Sequence, residues 1–267
     1  MKMSQTYTVI TGASSGIGQA FAYKMASEGR NIIINGRNKK RLDETKEQAK
    51  ELGAGQVLAY TADLVTGDEA EKFAQYCFDK GQIENFVHCL GFGDFSTISD
   101  QAYTQIAKLT HTNLLLTMFL SKRFAAGMLH QDTKANNITL IASVAGLIQT
   151  PKSAVYAASK AGVHAFANGL RQDLWSTKIK VTCILPGPVD TAFFDIADKD
   201  GSYFKNVQSF ATTPEIVADK MATAIERGQF EVVVPFYYDI MNRLMRLAPS
   251  LAYRLIHMSY EKGQFRD

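Results

Sequence analysis

The stretch Tyr7-Thr8-Val9-Ile10-Thr11-Gly12-Ala13-Ser14-Ser15-Gly16-Ile17-Gly18 decides the fold. Tyr7 to Ile10 is a β-branched and aromatic run that reads as a strand. From Ile17 to Glu28, the apolar residues Ile17, Ala20, Phe21 and Met25 recur at helical spacing. Between the two, Gly12, Gly16 and Gly18 permit a tight turn and a close approach of backbone to a pyrophosphate. The helix that follows offers free N–H groups and a partial positive charge at its start. The spacing is G-x-x-x-G-x-G, not the commoner G-x-G-x-x-G.

The same alternation continues outward from this turn. Asn31–Ile34, Gln56–Tyr60, Asn85–His88, Asn137–Ile141, Lys180–Leu185 and Phe230–Val234 read as further strands. Helical patterns lie between them: Lys39–Leu52, a helix from Thr66 or Gly67 to near Gly81, two helices between about Asp100 and Leu129, and Val155–Trp175. Another is opened by Pro214, as proline at a first helical position should be. The early strands are apolar throughout, as expected when helices cover both faces. The pattern predicts one α/β domain with a parallel, doubly wound sheet of seven strands over residues 1–235, and a helical extension over 236–267.

Composition narrows the class. The chain has 267 residues, 46% hydrophobic and 21% charged, which excludes disorder, collagen-like repeats and coiled coil. A net charge of +3, with both signs mixed along the chain, is too mild to argue for nucleic acid. Cys77, Cys89 and Cys183 are far apart and form no CxxC pair, so a reducing cytoplasm is the expectation. Met1 to Gln5 leave no room for a secretory segment, and Leu114–Leu120 is far short of the ~20 residues of a membrane span. His111, His130, His164 and His257 show no paired metal-ligand spacing, so no metal is expected.

The chemistry-bearing constellation lies in the middle. Tyr156 and Lys160 are four apart on one helix and project from one face. A neighbouring ammonium favours phenolate, which makes a tyrosine usable as an acid or base near neutrality. Ser143 follows an apolar strand, at the strand end where such sheets bind ligands, and its hydroxyl can donate to a substrate oxygen. A rival reading takes Gly12-Ala13-Ser14-Ser15-Gly16 as G-x-S-x-G, with Ser14 a hydrolase nucleophile. That elbow would leave little sheet before it, and only Asp63 and His88 can be forced into acid-then-base order.

With these pieces in order, the chain resembles the short-chain dehydrogenase/reductase family. The matching residues are T-G-A-S-S-G-I-G at 11–18, Asp63, Asn113, Ser143, Y-A-A-S-K at 156–160 and P-G-P-V-D-T at 186–191, within a resemblance covering roughly 6–235. It implies a Rossmann-type fold and a catalytic tetrad of Asn113, Ser143, Tyr156 and Lys160. Tyr156 would transfer the proton, Ser143 would polarise the substrate oxygen, and Lys160 would bind nicotinamide ribose and lower the Tyr156 pKa. Asn113 would hold a water leading to Lys160. The cofactor contacts it implies are Gly12, Ser14, Ser15, Gly16, Ile17, Gly18, Arg37, Asp63, Leu64, Gly91, Pro186, Gly187, Val189 and Thr191, besides Tyr156 and Lys160. Where the family usually reads N-N-A-G, this chain reads His88-Cys89-Leu90-Gly91. The amides that tie that strand to its neighbours are gone; His88 reads as a satisfied strand-end histidine.

The second strand ends Ile34-Asn35-Gly36-Arg37, with no carboxylate for a ribose 2′-hydroxyl. Arg37 can grip a 2′-phosphate, so NADP(H) is the expected cofactor. Phe193, Phe194, Tyr203, Phe204 and Phe210 in the lid at 192–213, with Phe92 and Phe95 opposite, suit a bulky apolar substrate or simply seat the lid. The expected function is oxidoreduction of a small-molecule carbonyl or alcohol; an NADP(H)-binding sensor or scaffold is the alternative. Ala157, Ala161, Ala165 and Gly169 form a smooth ridge open to another helix, and the resemblance implies a homodimer or homotetramer. In the tail, Ile240, Met241, Leu244 and Leu247 form one stripe, with Arg243 and Arg246 on another face. The stripe is expected to be covered by docking near the lid or by a second subunit, with at most weak lipid contact.

Overall fold

The computed structural model describes residues 5–133, 135–198 and 201–264. Residues 1–4 and 134, lid residues 199 and 200, and residues 265–267 of the extension lie outside that set. The strands are β1 (Thr6–Thr11), β2 (Ile32–Gly36), β3 (Val57–Thr61), β4 (Gln82–His88), β5 (Asn136–Ile141), β6 (Ile179–Pro186) and β7 (Glu231–Val234). The helices are α1 (Gly16–Ser27), α2 (Lys39–Glu51), α3 (Gly67–Lys80), α4 (Tyr103–Thr110), α5 (Leu116–Leu129), α6 (Ala154–Asp173), α7 (Phe193–Ala197), α8 (Ser202–Val207), α9 (Pro214–Arg227), α10 (Tyr237–Leu247) and α11 (Pro249–Gln264).

The seven strands form one parallel sheet in the order β3-β2-β1-β4-β5-β6-β7. Both faces of the central strands are buried, so two cores form. One holds Phe73, Phe86, Phe124 and Val163 beneath α3, α5 and α6. The other holds Phe21, Ile34, Val217 and Met221 beneath α1, α2 and α9. Local signals set the helix starts. Asn38 accepts from the Arg41 N–H, Thr66 from the Glu69 N–H and Thr213 from the Ile216 N–H, the last with Pro214 at the first turn.

Two elements differ from the sequence reading. The strand read from Asn85 starts at Gln82; its first half carries a single buried apolar residue, Ile83, between the half-buried Gln82 and Glu84, so it shows no apolar run. The two helices read between Asp100 and Leu129 are joined through one wide turn, His111–Leu115, wound as a π-helix. Periodicity does not reveal such a turn, because one extra residue shifts the apolar register without a glycine or proline to mark it.

Strand order reverses between β1 and β4, and the crevice at this switch point, on the C-terminal strand ends, is where doubly wound sheets bind ligands. All the loops of interest converge there.

Candidate active site

A cleft of about 430 Å³ opens along these strand ends. At one end lies the glycine turn. Gly12 has φ +67°, and its backbone packs so closely on the end of β4 that an added Cβ would sit 3.0 Å from the Cys89 carbonyl. The Ala13 N–H donates to the Asn35 carbonyl at 2.9 Å, which ties the turn to β2. Ser15 caps α1 with no side-chain bond to the helix, so the first N–H groups face the cleft together with Ser14, Gly16, Ile17 and Gly18. This is the arrangement a pyrophosphate requires.

Gly36 closes the adjacent wall. A Cβ there would meet Ser14 Cβ at 2.9 Å and Ser14 Oγ at 3.0 Å. The packing that brings Ser14 into the cleft therefore leaves no room for a side chain at the position where an acid would sit. Arg37 and Arg41 line the same wall. Sequence reasoning found Arg37 and passed over Arg41, one helical turn further on and among other basic residues. Asp63 also lines the cleft. Leu64 does not: its side chain is fully buried in the core, and Val65 takes the wall instead.

At the other end stand Ser143, Tyr156 and Lys160, all buried and all lining the cleft. Ser143 follows β5; its Oγ accepts from the Ala145 N–H at 3.1 Å and donates to the Pro186 carbonyl at 3.3 Å. Its hydroxyl also faces the Tyr156 phenol and eases its ionisation. Burial pushes that phenol well above its ordinary range, and Ser143 opposes the rise. This corrects the expectation that Lys160 lowers it. Lys160 Nζ donates to the Ile141 carbonyl at 2.8 Å and lies 5.9 Å from the Tyr156 ring centroid, and its charge is not among the causes that act on the phenol. Burial also takes Lys160 itself down to about 8, with the Cys183 and Cys89 thiols pulling the other way.

Asn113 is not a cleft-lining side chain. It sits in the π-helical turn; its Oδ1 accepts from the Phe92 N–H at 3.0 Å, and its Nδ2 donates to the Phe92 carbonyl and to Ser159 Oγ. Gly91 separates it from Lys160: a Cβ on Gly91 would lie 3.2 Å from Asn113 Oδ1 and 3.3 Å from Lys160 Nζ. Asn113 thus shapes the loop beside Lys160, and the tertiary fold uses up its amide.

His88 corrects a second expectation. One tie between β4 and its neighbour is kept, because His88 Nδ1 lies 2.9 Å from Thr11 Oγ1 in register across β1 and β4, but the ring is only half satisfied, since its Nε2 is buried without a hydrogen-bond partner. Burial, with the Lys160 charge, pushes His88 down to about 3, so it is neutral. No histidine lines the cleft with Ser14 among the described residues, which removes the hydrolase arrangement. Among those residues no cluster suits a metal ion either.

The remaining wall is aromatic. Tyr203 stacks on Phe95 with centroids 3.9 Å apart, Phe95 meets Tyr156 edge-on at 5.3 Å, and Phe193 and Phe194 complete the cluster. The Phe95 N–H donates to the Ala197 carbonyl at 2.8 Å, which pins the lid to the loop after β4. Phe210 stays exposed. Pro186, Gly187, Val189 and Thr191 line the cleft, and Tyr238, Met241 and Ile256 reach it from α10 and α11. No motif announces these three, because the sheet edge brings them in.

Comparison with known proteins agrees with this geometry. The short chain dehydrogenase family model matches residues 6–200. An uncharacterized oxidoreductase of Staphylococcus aureus (strain MRSA252) is 33% identical over 193 residues, 71% of this chain and 80% of the relative. One from Staphylococcus saprophyticus is 31% identical over 72% of this chain and 81% of the relative. The chain therefore belongs to the short chain dehydrogenase family and is an oxidoreductase of that family. Among solved structures, a short chain dehydrogenase/reductase from Burkholderia phymatum in complex with NAD superposes with TM-score 0.84 at 23% identity, over 94% of this chain and 96% of that one. An actinorhodin polyketide ketoreductase variant with NADPH gives TM-score 0.76 at 24% identity, over 88% and 97%. These likenesses concern the fold.

Proposed function

We propose that the chain reduces the carbonyl of a bulky apolar small molecule with NADPH, or oxidises the matching alcohol with NADP⁺. The observation that carries this reading is the convergence of Ser143, Tyr156 and Lys160 at one end of a cleft whose other end is a glycine turn at a helix N-terminus. A nicotinamide dinucleotide fits these residues: backbone packs where pyrophosphate needs close approach, and Gly36 with Arg37 and Arg41 suits a 2′-phosphate better than a ribose hydroxyl. The structural relatives carry NAD in one case and NADPH in another, so the preference rests on this chain's own residues.

Such a cofactor, when bound, supplies or accepts the hydride. Tyr156 supplies the proton to the substrate oxygen, and burial keeps its phenol protonated, which suits the donor role in carbonyl reduction. Ser143, held by the Pro186 carbonyl and the Ala145 N–H, donates to the same oxygen. Lys160, fixed by the Ile141 carbonyl, sets the floor of the site and receives the ribose. Asn113 and Ser159 brace the loop beside Lys160. Phe95, Phe193, Phe194 and Tyr203 exclude water and receive the apolar body of the substrate.

The test is fluorescence titration of the full chain with NADPH and NADH, followed by NADPH consumption over a panel of apolar ketones and aldehydes. A charge-assisted contact contributes about 1.5–3 kcal/mol, so NADPH is expected to bind at least ~10-fold tighter, and Arg37→Ala to erase most of that gap. Equal affinities reject the cofactor assignment. Tight NADPH binding without turnover on any carbonyl favours a sensor or scaffold.

A further inference from the structure

The C-terminal helices turn their apolar stripes outward, so the chain's own domain does not cover these positions. On α10, Ile240, Leu244 and Leu247 are 51%, 61% and 82% exposed; on α11, Leu251 and Leu255 are 58% and 56% exposed. Spacing of three and four places each set on one side of its helix. The helices hold to the domain by a different side. Tyr238 and Asn242 are buried on α10, and Ile256 of α11 packs with Tyr238 against Val144 and Ile148. Tyr253 adds a hydrogen bond to Gln149.

Charge follows the same plan on both helices. Arg243 immediately precedes Leu244, Arg254 immediately precedes Leu255, and Arg246 lies one turn from Arg243 on the same flank. α10 and α11 carry two carboxylates, Asp239 and Glu261, against four cations, Arg243, Arg246, Arg254 and Lys262, and Arg243 already holds Asp239 at 2.9 Å. A second copy docked about a two-fold axis would set this surface against itself and bring arginines together with too few acids to receive them. An anionic lipid surface supplies both missing partners, acyl chains for the leucines and headgroups for the arginines, whose stems run beside an apolar stripe. No helix among the described residues is long and apolar enough to cross a membrane, so the contact lies in the interfacial plane.

We propose that α10 and α11 rest on the surface of an anionic bilayer, with Leu244, Leu247, Leu251 and Leu255 in its outer apolar layer and Arg246 and Arg254 on its headgroups. Met241 and Ile256 line the cleft, so the docked helices set its mouth beside the lipid. Delivery of an apolar substrate from the bilayer rests on the function proposed above; the lipid contact itself does not.

The experiment is co-sedimentation of the full chain with phosphatidylglycerol/phosphatidylcholine vesicles and with phosphatidylcholine vesicles, beside light scattering without lipid. The expected result is binding to the mixed vesicles, weakened roughly 10-fold or more by the pair Leu244→Glu and Leu251→Glu. Arg246→Gln with Arg254→Gln is expected to weaken binding to the mixed vesicles alone. NADPH titration of each variant reports that the domain is folded, and its result stands or falls apart from vesicle binding. Absence of binding to anionic vesicles overturns the proposal. So does a lipid-free dimer that the leucine substitutions split into monomers, which assigns the face to a second copy.

Discussion

Gly18→Ala tests whether the glycine turn is built for close approach. An added Cβ would lie 2.5 Å from the Gly12 carbonyl oxygen, 2.8 Å from the Gly12 carbonyl carbon and 3.2 Å from Cys89 Cβ. Carbon contacts are optimal at about 3.5–4.0 Å, so the first contact is roughly an ångström short. Gly12 cannot retreat, because its own backbone already rests on the end of β4 and Ala13 is tied to Asn35. The strain therefore falls on α1 or on the turn. Overpacking typically costs about 1–3 kcal/mol, and a clash with backbone belongs in the upper part of that range. The better helix propensity of alanine returns about 0.5–1 kcal/mol, leaving a net loss of roughly 1–2.5 kcal/mol by the same reckoning. In a chain of this size each kcal/mol lowers Tm by about 2–4 °C, so a fall of roughly 2–10 °C is expected by differential scanning calorimetry. Strain released into the turn moves the N–H groups that face the phosphates, so NADPH affinity is expected to fall by about 10-fold for each 1.4 kcal/mol diverted. Gly67→Ala is the internal control, because its Cβ meets nothing within 4 Å and the melting temperature should hold. A Gly18→Ala protein that melts with the parent and binds NADPH equally well refutes the close-packing argument.

Tyr156→Phe keeps the ring in its aromatic cluster and removes the proton, so kcat for carbonyl reduction should fall about 10²- to 10⁴-fold; near-parental turnover would sink the mechanism. Lys160 has its folded pKa depressed to about 8, so its contribution is present above its ordinary range and is lost as pH falls through about 8. Lys160→Met should therefore gain most in Tm over the parent below that pH, and the difference should shrink as pH rises; a difference that stays flat from neutral to alkaline pH contradicts the burial argument. Assembly is expected through the exposed end of the α6 ridge, Ala165 and Gly169, so light scattering at micromolar protein should return at least a dimer. A monomer near 30 kDa, against the 29.5 kDa chain, would exclude it.

Local residue patterns alone determine much of this protein. The apolar runs of β1, β2 and β5 need cover on both faces, so they specify a parallel sheet between two helical layers. Glycines at 12, 16 and 18 specify a turn that ordinary side chains cannot make. Tyr156 and Lys160 share a helix, so their spacing alone brings them to one cleft. All of these interactions are short in sequence, and the physics of a strand or a helical turn is enough to read them.

What the tertiary structure decided involves partners distant in sequence. Whether Lys160 governs Tyr156 depends on burial and on the Ile141 carbonyl, which no motif encodes. Leu64 faces the core and Val65 the cleft because of how the loop leaves β3. His88 replaces the missing amide tie only because Thr11 lies opposite it across two strands. Pairing across the sheet likewise brings Tyr238, Met241 and Ile256 to the mouth of the cleft. The tail shows the limit most plainly. Periodicity marks an apolar stripe on α10, yet the domain grips that helix by Tyr238 and Asn242. A helix has several faces, and its amphipathic pattern does not say which one the core will take.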